Sequence, residues 1–376
     1  MTIGPRCVGL FRLAPAIAVL CVLAGCAPRP GAEVLTPVAA IPEARLVNVY
    51  VATNRTRRSP DENVFTAGRA TALNFARYAI SVPPGHTPSK IAWPAGTPDP
   101  RVSFATVDQT ALTAATFRAG VSASPSRQPG RRNVIVYVHG YNENFQEALF
   151  RMALLAVDSD TGAVPILFSW PSQGALSGYI ADKESVTYSR DYLVSLLAML
   201  SADPRIGKIT VLGHSMGGWL TTEALRQLRL TRQDRVLARL EVVLAAPDID
   251  VDVFRGQMQT IGPLSPPMTL LVSKDDRALR VASFISTDRP RVGALDVADP
   301  VVRETAVAAN IRIIDISSLT PSDQFNHSRF VGLAALYPRA NRGAGQDLGN
   351  AGAFVFDAVG ATISSPFRLG SQILGN

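Results

Sequence analysis

The chain reads as an α/β protein, a mostly parallel sheet with helices on both faces, preceded by a small β-rich region. Three observations predict this. From Asn133 onward, short apolar runs alternate with stretches whose apolar residues recur at helical spacing, the pattern of successive strand and helix units. The run at Val134–Val138 is continuous rather than alternating in polarity, as a strand covered on both faces requires. Polar residues suited to chemistry fall just past the ends of such runs, where open α/β sheets place their ligand sites.

In chain order, residues 1–25 stand apart from the fold. Arg6 and Arg12 give a positive start, Leu13–Val22 is an apolar run, and Leu23, Ala24, Gly25 and Cys26 follow. The run is too short to span a bilayer. It resembles a bacterial lipoprotein signal, whose box of small residues ends in the cysteine that is lipidated and becomes the first mature residue. Lipidation of Cys26 is therefore expected. Ala27 rather than an aspartate follows it, which fits an outer-membrane anchor facing the periplasm, and the lack of a twin arginine points to the general secretion route.

All three cysteines, Cys7, Cys21 and Cys26, lie within or at the end of this segment. The mature chain then has no internal disulfide, and cysteine is neither its nucleophile nor a structural metal ligand. Removing 25 residues leaves 351 and lowers the net charge from +7 to +5, while 47% hydrophobic residues suffice for a sizeable core. Basic clusters at Arg55, Arg57 and Arg58 and at Arg127, Arg131 and Arg132 read as solvated loops, with an anionic lipid surface as the other reading. Without interleaved aromatics they make no case for nucleic acid.

Residues 26–44, rich in Pro, Ala and Gly, read as a tether. Residues 45–121 form the β-rich region, with strands expected at Arg45–Thr53, Ala76–Val82 and Arg101–Thr106, prolines between them and His86 on a surface loop. Ser122–Arg132 is a polar linker. Residues 133–337 form the α/β domain. Strands are expected there at Val134–Val138, Val164–Ser169, Lys208–Leu212, Leu240–Ala245, Met268–Ser273 and Ile311–Ile316. Helices carry Phe145, Leu149, Met152 and Leu155, then a stretch around Ser189–Leu200, then Leu220, Ala224 and Leu228. Residues 338–376 are Gly- and Ala-rich and read as a loosely ordered tail. No internal repeat is present.

The stretch Ile209–Leu220, I-T-V-L-G-H-S-M-G-G-W-L, organises the domain. A short buried strand, a serine bracketed by Gly213 and Gly217, and an immediate helical pattern are the sequence form of a nucleophile elbow. Such a turn holds the Ser215 hydroxyl above the sheet edge. It also leaves the Met216 N–H at a helix start, where a developing negative charge is favoured.

A serine hydroxyl needs a base, and the base needs a third group to hold its tautomer. Of the four histidines, His86 lies in the β-rich region, His139 precedes Ser215 on another loop, and His214 adjoins the serine but points away. His327, in N-H-S-R-F after the last strand, remains as the base. The acid belongs on a loop between them. Asp276 is preferred, Asp248 is the alternative acid, and Asp275 stands behind both; an N-cap role suits Asp275 and Asp250. The second half of an oxyanion hole falls to the Tyr141 N–H in V-Y-V-H-G-Y, 76 residues before the serine counted from His139. His139 is expected to brace that loop.

With H-G-Y-N, F-S-W-P-S-Q-G at Phe168–Gly174, G-H-S-M-G-G, L-A-A-P-D-I-D, S-K-D-D-R-A-L and N-H-S-R-F in this order, the chain resembles an α/β-hydrolase. More narrowly, it is similar to a bacterial esterase/lipase-like family long catalogued as a domain of unknown function. V-Y-V-A-T-N-R at Val49–Arg55 extends the resemblance over roughly Leu46 to Tyr337. The family pattern has an asparagine where this chain has Asp275, which supports Asp276 as the acid and leaves two adjacent carboxylates whose repulsion is expected to bear on the pH profile.

The resemblance implies acyl transfer from an ester substrate by Ser215, His327 and Asp276, with Met216 and Tyr141 at the oxyanion and no metal or organic cofactor. The segment Pro171–Tyr188, with Trp170, Leu176, Tyr179 and Ile180 in or beside it, is either an acyl pocket or lid, or ordinary core packing. A non-catalytic envelope protein and an amide- or peptide-cleaving hydrolase are the rival functions on the same residues.

Overall fold

The computed structural model describes residues 29–59, 62–125 and 130–341. The segment containing Cys26 and residues 342–376 of the expected tail lie outside the described residues.

Among the described residues nine strands form one sheet, in chain order β1 (Arg45–Arg57), β2 (Phe65–Val82), β3 (Ala105–Leu112), β4 (Arg132–Val138), β5 (Val164–Ser169), β6 (Ile206–His214), β7 (Leu240–Ala245), β8 (Met268–Val272) and β9 (Ile311–Asp315). The order across the sheet is β3-β2-β1-β5-β4-β6-β7-β8-β9. From β1 to β9 every neighbouring pair is parallel, and only the β1–β2 and β2–β3 pairs are antiparallel. The carboxyl ends of the parallel strands therefore share one edge. Tyr50 to Thr53 of β1 pairs with Ile166 to Ser169 of β5, so the β-rich stretch continues the same sheet instead of packing beside it.

Nine α-helices are described: α1 (Ala114–Ala123), α2 (Phe145–Ser159), α3 (Tyr179–Ser201), α4 (Met216–Leu230), α5 (Asp234–Leu237), α6 (Val251–Ile261), α7 (Arg277–Ile285), α8 (Pro300–Ala308) and α9 (Arg329–Asn341). Alternation along the strands sorts them into two layers. Val134, Val136 and Val138 face Phe117 of α1, Leu193 of α3, Leu220 of α4 and Met258 of α6. Ile135 and Tyr137 face Leu149 of α2 and Val331 of α9. Burying each such side chain contributes about 1.5–3 kcal/mol, which is why continuous apolar runs become central strands.

The N-terminal region differs most from the sequence expectation. β2 begins at Phe65 rather than Ala76, because the polar stretch before Ala76 still completes the hairpin with β1. α1 occupies residues read as strand region and linker, closed at its start by a capping box between Thr113 and Thr116. The stretch read as a tether is seated from Arg29 onward. Val34 and Leu35 are buried in the α2 layer, and Val38 N–H donates to Thr106 O at 2.9 Å. His86 is partly buried, its Nε2 at 2.6 Å from Asp158 Oδ1, rather than on an open loop. α9 carries helical structure through Asn341, past the start of the expected tail. No helix among the described residues is long and apolar enough to cross a membrane.

Candidate active site

Ser215 joins β6 to α4 with φ 55° and ψ −123°, backbone angles that a residue with a side chain enters only under constraint, at a cost of about 1–3 kcal/mol. Backbone bonds on both sides hold it there. Its N–H donates to Ala245 O at 3.0 Å, and its carbonyl accepts from Gly218 and Asp248 at 2.9 and 3.1 Å. The turn packs directly on the end of β4. A Cβ on Gly217 would lie 2.1 Å from Val138 O, a distance no side chain accommodates. Met216 opens α4, where first-turn N–H groups have no acceptor within the helix.

The loop after β4 closes over the serine from the other side. A Cβ on Gly140 would lie 3.1 Å from Ser215 Cβ and 2.9 Å from His214 Nδ1, so glycine here lets the loop backbone lie against the elbow. His139 braces the loop as expected. Its Nδ1 lies 2.9 Å from Gly140 O and its Nε2 3.1 Å from Trp170 O, and the ring stacks on Trp170 at 5.0 Å and 7°. Burial, with Arg55 nearby, lowers its pKa to about 3, so it remains neutral and is no proton shuttle near neutral pH. Glu143, half-buried under the loop, accepts the Gly140 N–H at 3.1 Å.

His327 and Asp276 meet across this edge. Asp276 Oδ2 lies 2.7 Å from His327 Nδ1, while its Oδ1 accepts the Leu279 N–H at 2.9 Å as the N-cap of α7. The His327 ring packs on that of His214, the residue before the serine, with centroids 4.7 Å apart. Burial pulls the His327 pKa down, but the Asp276 charge and hydrogen bond outweigh it and leave it raised. His214 has no such partner, and burial together with the charge of His327 lowers its pKa well below the ordinary value.

The family model described as alpha/beta hydrolase of unknown function (DUF900) matches residues 117–342 of this chain, more than half its length. The chain belongs to this family of α/β-hydrolases. An uncharacterized protein of Nostoc sp. is 28% identical over 122 residues, 26% of this chain and 32% of that protein, so the chain spans about a third of that curated relative. A crystal structure of a "Putative hydrolase" from Agrobacterium vitis S4 is similar at a TM-score of 0.33 and 13% identity, covering 72% of this chain and 97% of that one.

In this α/β-hydrolase the other two aspartates are engaged elsewhere. Asp248 is buried, accepts the Tyr179 hydroxyl at 3.0 Å and lies 3.3 Å from Arg291 Nε, an ion pair without the alignment of a hydrogen bond. Burial raises its pKa despite the neighbouring Arg291. Asp275 does not cap a helix; Asp276 does, because the chain enters α7 one residue later. Asp275 instead binds Arg329, the Ser273 hydroxyl at 2.7 Å and the Asn326 amide at 3.0 Å. Arg329 holds its pKa down at about 2, so the two adjacent carboxylates do not compete for His327. Asp250 caps α6, accepting from Asp252 and Val253.

The segment after β5 is mixed. Trp170 is fully buried and Tyr179 nearly so, whereas Leu176 and Ile180 are 76% and 64% exposed. Tyr141 stands edge-on to Tyr179 at 5.3 Å, and its hydroxyl donates to Leu176 O.

Of the arginines expected on solvated loops, Arg132 opens β4, Arg57 is partly buried in β1 with its guanidinium donating to Phe75 O at 3.2 Å, and Arg55 departs furthest. It is buried, not solvated. A register shift in the β1–β2 pairing around it, just past the Thr53–Ser169 pair, turns it inward at the carboxyl edge of the sheet. Its guanidinium donates to Ser169 Oγ at 3.0 Å, Ser172 O at 3.1 Å, Thr66 O at 3.2 Å and Glu143 O at 3.2 Å. Burial lowers its pKa to about 10, leaving it charged, with Asp182, Glu143 and Glu147 as the nearby negative groups. Asp182, also buried, accepts from Ser172 at 2.6 Å and from the Gln173 N–H at 2.7 Å. Arg55 and Asp182 thus fix the loops after β4 and β5 around the serine. The only signal for this in the sequence was the position of Arg55 at the end of V-Y-V-A-T-N-R.

Proposed function

We propose that the chain is a lipid-anchored serine hydrolase that cleaves carboxylic esters. The observation that carries this reading is the strained backbone of Ser215 at the head of α4, with the His327–Asp276 pair on the same edge. Ser215 Oγ attacks the ester carbonyl carbon as His327 Nε2, the ring nitrogen that Asp276 leaves free, takes the hydroxyl proton. The Tyr141 and Met216 N–H groups receive the oxyanion, an effect worth about 3–4 kcal/mol per donor in such sites. Collapse expels the alcohol, which carries off the proton from His327. Water then attacks the acyl-serine, again through His327, and returns the carboxylic acid and free enzyme. Asp276 orients the imidazole and stabilises its charged form.

The anchor is the lipid on Cys26, holding the chain at the cell envelope, in the outer membrane and facing the periplasm. Support comes from the box of small residues ending in that cysteine and from Ala27 after it. Fluorophosphonate labelling tests the chemistry. Modification of wild type that is lost in Ser215→Ala and His327→Ala is the expected result, and a folded wild type that resists the reagent and a panel of acyl esters overturns it. Intact mass and membrane fractionation test the anchor; a water-soluble chain with unmodified Cys26 removes it.

A further inference from the structure

The point at which the chain enters the described fold lies at the mouth of the site. Arg29 Nε donates to Glu147 at 3.0 Å, its Nη1 to Asn142 Oδ1 at 2.6 Å, and its guanidinium also reaches the carbonyl oxygens of Asn142 and Gly174. Asn142 follows Tyr141 and Gly174 lies after β5, so Arg29 clamps together the two loops that flank Ser215. Pro30 O accepts the Asn144 amide at 3.0 Å, and Val34 and Leu35 seat the next turn in the core. Cys26 precedes Arg29 by three residues, which even fully extended reach only about 11 Å. A lipid on Cys26 must therefore enter the bilayer beside the active-site mouth.

The surface around that mouth is apolar where a soluble surface would be polar. Leu176 and Ile180 are exposed on one side, and Phe325, 54% exposed, stands two residues before His327. α7 joins them. Its first N–H, from Arg277, donates to Phe325 O at 2.9 Å. Val281, Phe284 and Ile285, at spacings of three and four on this helix, are exposed, with Phe284 at 74%. Arg277 and Arg280 are exposed on the same helix, with no carboxylate partner among the described residues. An apolar stripe flanked by arginines suits an anionic lipid surface.

We infer that the mouth of the site is pressed onto the bilayer that holds the Cys26 lipid, with Leu176, Ile180, Phe284 and Phe325 inserted at the headgroup level. The ester it takes is one carried by a lipid of that bilayer. This rests on the anchored-hydrolase reading above.

The test uses the full lipidated chain in vesicles of phosphatidylethanolamine and phosphatidylglycerol. Processing leaves Cys26 as the sole, lipid-blocked cysteine. Leu176→Cys, Phe284→Cys and, at the opposite sheet edge, Val102→Cys can then each carry one nitroxide. Labels at 176 and 284 are expected to lose aqueous nickel-complex accessibility severalfold on vesicles while the label at 102 does not. Adding Arg29→Ala is expected to restore accessibility at 176 on chains that stay vesicle-bound. It should also lower turnover of a vesicle-embedded fluorogenic diacyl ester relative to its water-soluble short-chain analogue. Labels at 176 and 284 as accessible as the one at 102 overturn the orientation, and an unchanged ratio overturns the lipid substrate. Unmodified Cys26 in the intact mass removes the inference together with the anchor. Protected labels on a chain inert to fluorophosphonate sustain the orientation and remove only the hydrolase reading.

Discussion

Asp275 and Asp276 adjoin in the chain, yet each faces its own basic partner. Asp276 holds His327 at 2.7 Å, and Asp275 is bound by Arg329 and fixed through Ser273. Removing either charge therefore has a distinct expected consequence.

Asp276→Asn is expected to slow fluorophosphonate labelling by roughly 10²–10⁴-fold, since the imidazole loses both its tautomer control and its charge partner. Asp275→Asn loses an ion pair that is partly exposed, so a loss of about 1 kcal/mol or less is expected, with labelling within severalfold of wild type. Asp248→Asn leaves Arg291 buried without its charge partner, so its effect belongs in thermal stability. Rates and melting temperatures of the three variants, measured together, check this; slow labelling in Asp248→Asn with normal labelling in Asp276→Asn would reverse the assignment.

The pH dependence follows from the raised His327 pKa. The base works neutral, so labelling should rise with pH through an inflection above the ordinary histidine value of about 6.5. Asp276→Asn removes the group that raises it, and the inflection should move to lower pH. Stability runs the other way. The pair stabilises the fold fully below the pKa of the unfolded histidine and loses that contribution as pH rises through the folded value. Stopped-time labelling and urea unfolding across the same pH range read both.

Gly140→Ala and Gly217→Ala separate function from folding. At Gly140 the new Cβ would press on Ser215 Cβ and His214 at 3.1 and 2.9 Å, displacing the loop that carries Tyr141, and a loss of about 10²–10³ in kcat in a folded protein is expected. At Gly217 it would meet the Val138 carbonyl oxygen at 2.1 Å, and the protein is expected not to reach its native fold. Circular dichroism beside ester turnover distinguishes the two.

Arg55→Met should cost about 3–5 kcal/mol, because it leaves Asp182 without its buried cation and strips donors from Ser172 O and Glu143 O. A melting curve that matches wild type would count against this network.

The central sheet was legible because parallel strands covered on both faces are dominated by apolar side chains. Val164–Ser169 and Leu240–Ala245 begin and end where their side chains alone place them. Ser215, His214 and Gly217 were legible for a similar reason, since a turn this tight admits few residues. Arg55 was not. A basic cluster in sequence carries no sign that acceptors from residues 66, 143, 169 and 172 will converge on one guanidinium. Nor was the N-cap role of Asp276 rather than Asp275, which turns on where α7 begins by a single residue.

The pairing of β1 with β5 bears on how the chain can be cut. The family match begins at residue 117, inside α1, yet β5 is a middle strand only because β1 covers its open side. A fragment starting there would present Ile166, Leu167 and Phe168, all fully buried in the whole chain, along a bare ladder of unpaired amides and carbonyls. Such an edge recruits the same edge of another copy. Residues 117–342 on their own are thus expected to aggregate, and the strands ahead of them act as the guard that keeps the sheet from growing between molecules.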